Sequence, residues 1–108
     1  MKAYVYNKKY GLITYDPQLF VTKTSAQEQM LKDFEKQLTD EKRMTDDIQH
    51  TCTMLREHKQ ANYASNDITL TNNSFAIYNS VFPDNTYTGM IHSTDIDDAA
   101  WLKIIRRT

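Results

Sequence analysis

Residues 25–60 read SAQEQMLKDFEKQLTDEKRMTDDIQHTCTMLREHKQ, and whether this stretch is one helix or two decides the fold. It sits inside a Gly- and Pro-free interval running from Gln18 to Phe82. The glycines and prolines of the whole chain are Gly11, Pro17, Pro83 and Gly89. Ser25-Ala26-Gln27-Glu28 fits a capping box, with the Ser hydroxyl accepting from the N3 amide and Glu28 reaching back to the Ser25 amide. Beyond it, Leu31, Phe34, Leu38, Ile48, Cys52 and Leu55 fall on alternating three- and four-residue steps, a heptad-like seam. The seam positions between them are Glu41 and Thr45, so two apolar ends flank a polar middle. Thr39 or Thr45 offers a second N-cap, which leaves a continuous helix and a helical hairpin both open. A single helix of about 36 residues would run ~54 Å. A compact domain of this size has a radius of gyration near ~13 Å. Such an arm leaves one apolar end uncovered by its own chain, and Leu31, Phe34, Leu38, Ile48, Cys52 and Leu55 are therefore read as a partner or dimer interface of coiled-coil type.

Outward from this arm, both flanks read as β-structure. Tyr4 and Tyr6 alternate with Ala3 and Val5, Asn7-Lys8-Lys9 is polar enough to turn the chain, and Tyr10 to Tyr15 forms a second β-rich run with Gly11 as a bulge candidate. Asp16-Pro17 marks a turn, and Leu19 to Val21 reads as a short third strand or a packed connection. Residues 61–67 are polar and read as a linker. Ile68 to Thr71, Phe75 to Phe82 and Thr86 to His92 then form a meander. A last helix is signalled from residue 93. Ser93 or Thr94 caps it, Asp95, Asp97 and Asp98 suit its N-terminus, and Arg106 and Arg107 its C-terminus. Its apolar side is Ile96, Ala100, Trp101, Ile104 and Ile105. The fold expected is one α+β domain over 1–108. A small antiparallel sheet is built from N-terminal (1–24) and C-terminal (68–92) strands, with a helix or helical hairpin over 25–60 and a helix over 93–108.

Composition sets bounds on function. Thirteen Lys+Arg against 14 Asp+Glu give a net charge of −1, which excludes a strongly basic nucleic-acid binder and an acidic nucleic-acid mimic alike. A length of 108 residues is too short for the large α/β enzyme architectures. With one cysteine no intrachain disulfide forms. No apolar run approaches the length of a membrane span, and Met1 to Lys9 lacks the apolar core of a secretory signal, so an intracellular, cytoplasmic setting without membrane contact is expected.

Candidate chemistry is sparse. His50 and His58 are eight residues apart, ~12 Å along a helix, too far to share an ion, so no metal site is expected. The acidic run Asp95-Ile96-Asp97-Asp98 is explained by helix capping. His92-Ser93-Thr94-Asp95 holds the residue types of nucleophilic catalysis, but such groups are assembled across a fold and not read consecutively. Two isolated glycines exclude a phosphate loop. Neither an enzymatic activity nor a cofactor is expected. Tyr4, Tyr6 and Tyr10 beside Lys8 and Lys9 form the one arrangement that suits single-stranded nucleic acid or a nucleotide, through stacking and phosphate contacts.

Seven Tyr, four Phe, one Trp and five Met are residue types enriched at protein interfaces. The short chain without catalytic motif, rich in Tyr, Asn and Thr, is similar in type to small phage- or mobile-element-encoded proteins that inhibit or adapt host or defence complexes. The reading is a non-enzymatic, stoichiometric protein-binding module whose partner is a larger protein, with the Tyr/Lys hairpin as a nucleic-acid alternative.

Overall fold

The computed structural model describes residues 1–79 and 81–107. Seven strands form one sheet: β1 (Lys2–Tyr10), β2 (Ile13–Thr14), β3 (Gln18–Phe20), β4 (Tyr63–Ala64), β5 (Ile68–Leu70), β6 (Ser74–Ile77) and β7 (Tyr87–Asp95). The order is β2-β1-β7-β6-β5-β4, every pairing is antiparallel, and β3 joins β1 beside β2. The centre is the long β1–β7 ladder, which joins the two ends of the sequence from Lys2↔Asp95 to Tyr10↔Tyr87. Met1 and Ile96 extend it by exchanging backbone hydrogen bonds of 2.9 and 2.8 Å. The expected α+β class, with N- and C-terminal strands in one antiparallel sheet, is the architecture found.

The central stretch is a hairpin of two helices, α1 (Lys23–Asp40) and α2 (Asp46–Arg56). Thr45 caps α2, its side chain accepting from the Ile48 amide at 3.3 Å, while Asp46 and Asp47 in the first turn complement the helix dipole. At the start of α1 the cap lies three residues earlier than expected. Thr22 accepts from the Ser25 amide at 3.1 Å, and Glu28 is drawn away to Arg56 on α2 at 3.0 Å.

The seam is covered from within. Leu31, Phe34, Leu38, Ile48, Cys52 and Leu55 are all 0–1% exposed, in one core with Tyr6, Phe75, Ile77, Tyr87 and Ile91 of the sheet. They therefore do not form a partner or dimer surface. Folding the helical stretch back at residues 41–45 brings both apolar ends of the seam onto the same side of the sheet, which removes the need for a second chain to cover either.

Gly89 makes this packing possible. It pairs with Phe75 across β6–β7, and a Cβ on it would lie 2.3 Å from the Phe75 ring. The ring thus rests over the glycine, and tilted contacts of 5.4 Å to Phe34 and 5.2 Å to Tyr87 tie the helix to the sheet.

Two local expectations give way to tertiary contacts. Asn7-Lys8-Lys9 does not turn; β1 continues to Tyr10, and the reversal comes at Gly11, with φ +60°. Lys8 tolerates the strand because Asp33 of α1 meets its ammonium at 3.2 Å. Ser93 and Thr94 do not cap the last helix but pair with Tyr4 and Ala3 in β7. Helix α3 spans Asp98–Arg107, with Asp97 Oδ1 accepting from the Ala100 amide at 2.7 Å, and it lies against β3. Ile104 and Ile105, expected on its apolar side, lie outside the described side chains. Within the expected linker, Tyr63–Ala64 forms the edge strand β4.

Candidate functional site

Strand alternation assigns the even positions of β1 (Tyr4, Tyr6, Lys8 and Tyr10) to the face beneath the hairpin. Tyr6 is 1% exposed, and its hydroxyl donates to Asp33 Oδ2 at 2.8 Å. Lys8 Nζ donates to the same oxygen at 3.2 Å, and Gln29 Nε2 to Asp33 Oδ1 at 3.1 Å. Burial first, and then the bond to Asp33, holds the Tyr6 hydroxyl far above the ordinary tyrosine range. Tyr4 and Tyr10 pack on the core, and Tyr10 meets Tyr87 edge-on at 5.6 Å. The Lys8 ammonium also lies 5.0 Å from the centre of the Tyr15 ring. Of the residues expected to contact nucleic acid, Lys9 alone is exposed, and it belongs to the opposite face. Tyr4, Tyr6, Lys8 and Tyr10 are thus structural: no stack of open aromatic rings exists on this hairpin.

The other polar constellations are also internal. Arg56 joins α2 to α1 by bonds to Glu28 and Glu35, and these carboxylates raise its pKa further. Cys52 is buried, and its thiol is pushed up to about 12 by that burial and by the field of Glu35, so it is not a nucleophile at neutral pH. His92 on the exposed side of β7 lies 3.5 Å from the Asn7 amide. Among the described residues no group of three or more His, Cys, Asp or Glu is placed to hold a metal ion. No helix is long and apolar enough to cross a membrane.

What the sequence did not single out is an apolar surface at one end of the sheet. Leu12 is 92% exposed, Val81 73%, Phe82 60% and Ile13 59%. Leu12 lies in the turn after β1, Ile13 begins β2, and Val81 and Phe82 follow β6; these two segments are tied together. Gly11 N donates to Thr86 O at 3.0 Å, and a Cβ on Gly11 would lie 2.6 Å from Asp84 O. Polar groups fix the second segment from beneath: Asn79 Oδ1 accepts from the amides of both Val81 and Phe82 at 3.0 Å, and Asn85 N donates to Phe82 O at 2.8 Å. Arg43, in the turn between α1 and α2, donates to Tyr78 O at 3.2 Å at this same end. Hydrogen bonding therefore holds the backbone while the large apolar side chains stay in solvent. In sequence, Leu12 and Val81-Phe82 look like strand residues with a buried face, so composition gave no sign of their exposure.

At the opposite end, the start of α1, the segment after α2 and the β5–β6 turn border a half-open cavity of about 540 Å³. Its polar lining includes Lys23, Gln27, His58 and Lys59.

No family model, no curated protein and no solved structure matches this chain.

Proposed function

We propose that the protein is a non-enzymatic binding module that engages a protein partner stoichiometrically through the apolar end of its sheet. The observation carrying this reading is the exposure of Leu12, Ile13, Val81 and Phe82 on two segments whose backbones are fixed by hydrogen bonds. Several large apolar side chains exposed at one end of a sheet are unfavourable for an isolated chain and mark an interaction surface. Burying one such side chain is worth ~1.5–3 kcal/mol, and aromatic anchors dominate interface energies. The matching partner presents an apolar depression that receives Phe82 and Leu12. Action as an inhibitor or adaptor of a larger complex, of the phage or mobile-element type, is the form of this reading that the composition favours.

The test compares the native protein, Leu12→Asp/Phe82→Asp, and a control Lys36→Glu on the exposed side of α1, each immobilised against lysate of the encoding cell. All three should melt at the same temperature, because the changed side chains lie in solvent. Proteins retained by the native chain and by the control should be lost by the double variant, with affinity reduced on the order of 100-fold (about 2.7 kcal/mol). Equal retention by all three would overturn the assignment. Self-association abolished by the double variant, seen in sedimentation, would identify the partner as a second copy bound through the same end.

A further inference from the structure

We infer that the cavity between the start of α1 and the segment following α2 is a binding site for a small phosphate-bearing molecule of nucleotide size. It lies at the end of the sheet opposite the apolar loops and is independent of them. Its volume of about 540 Å³ falls within the range of small-molecule sites. Lys23, His58 and Lys59 contribute basic groups from two segments, and no Asp or Glu lines it among the described residues. Lys59 meets Glu57 at 2.9 Å, but that carboxylate is outside the lining, and Lys23 has no acidic partner among the described residues. The absence of an acid from the first turn of α1 leaves this positive charge uncompensated from the helix side.

The second observation concerns Gln27, which is 8% exposed and lines the cavity. Its Nε2 is committed to Asn72 O at 2.9 Å, and this bond joins α1 to the β5–β6 turn. Its Oε1 makes no hydrogen bond among the described residues. This oxygen keeps contact with solvent, where water or a ligand can donate to it. Leu55, 1% exposed, adds an apolar wall, and Asn62 adds a second amide. Cations for a phosphate, amides that pair with a donor–acceptor edge, and an apolar wall are the three contacts that a nucleoside phosphate takes. A bare inorganic anion would use only the first.

The experiment is a titration of the isotopically labelled full chain at low salt with AMP, GMP, CMP and UMP, with adenosine and inorganic phosphate as comparison probes. Amide shifts should saturate for at least one of the nucleotides and fall on residues 23–27 and 58–62, leaving 11–13 and 81–86 unmoved. Adenosine and inorganic phosphate should each bind at least tenfold more weakly than that nucleotide. Lys23→Ala/Lys59→Ala should weaken it at least tenfold, Lys23→Arg should retain it, and Lys36→Ala should leave it unchanged. Absence of saturable shifts for every nucleotide, equal binding of adenosine, or binding unaltered in the double variant would overturn the proposal. None of these results bears on partner capture by Leu12 and Phe82, so the two sites stand or fall separately.

Discussion

The two faces of the sheet are built from opposite materials. Beneath the helices, β1, β6 and β7 present Tyr6, Phe75, Ile77, Tyr87 and Ile91, all buried, and Phe34 closes over them. Across the middle of the other face the same strands, with β5, present Asn7, Lys9, Thr69, Ala76, Thr88 and Met90 around a shallow groove. Small and polar side chains on that face need no second layer, and Met90 is left 57% exposed. A half-covered antiparallel sheet is a stable arrangement when its wet face is of this kind. The apolar excess is displaced to the loops at one end, where Leu12 and Phe82 stand in water.

The largest effect that sharpens this contrast is Phe34→Ala against Met90→Ala. Phe34 is fully buried and touches the Phe75 ring, so its truncation should cost about 3–5 kcal/mol in urea denaturation. Met90→Ala should change stability by no more than ~0.5 kcal/mol, as expected for an exposed site. A comparable loss at Met90 would mean that this face is covered in solution, and the contrast between the faces would be broken.

Which parts of this arrangement the sequence discloses follows from how far each signal reaches. The seam was legible because period alone shows that one helix side is apolar. Its partner was not, because the same 3–4 spacing serves a second helix or a sheet, and only the fold back at 41–45 shows that the sheet takes it. Thr45 was legible as a cap because capping is local. Glu28 was misread because its partner Arg56 is 28 residues away, and Lys8 because Asp33 is 25 away. Ser93 and Thr94 carried a valid cap signal that lost to strand pairing with β1. The apolar end was hidden for a related reason: the turn at Gly11 is held against residues 84–86, more than 70 residues away, which no local pattern records.

A second effect distinguishes the faces by titration. Cys52, Tyr6 and Tyr87 all belong to the covered side, and burial raises each: Cys52 from 9.0 to about 12, Tyr87 from 10.0 to about 12, and Tyr6 further. Because the folded values are the higher ones, the unfolded chain loses these protons first. Their contribution to stability is complete below about pH 9 and is lost progressively as pH rises toward the folded values. Urea midpoints should thus be flat through neutral pH and fall steadily above pH 9. Tyr6→Phe should make that fall shallower. A fall equally steep in Tyr6→Phe would show that the hydroxyl is not sequestered under the hairpin.

The smallest effect concerns how the covering helices end, and it accounts for the scarcity of glycine. Both α1 and α2 stop in the same motif: Lys42 N donates to Thr39 O and Arg43 N to Leu38 O, as His58 N does to Leu55 O and Lys59 N to Met54 O. The residue that this motif places in the left-handed region is normally glycine, yet here it is Lys42 at φ 56° and His58 at φ 61°. Each carries a steric cost that glycine avoids, partly offset by the greater freedom glycine gives the unfolded chain. Lys42→Gly and His58→Gly should each therefore raise stability by about 0.5–1 kcal/mol, and the two should add, since the helix ends share no contact. The two positions should part company in ligand titrations. Lys42 lies at the turn between the helices, away from the cavity, and its replacement should leave nucleotide binding untouched. His58 lines the cavity, so its replacement should stabilise the fold while weakening the complex. A His58→Gly variant that gains stability and keeps full nucleotide affinity would remove the imidazole from the site and leave Lys23 and Lys59 to account for it.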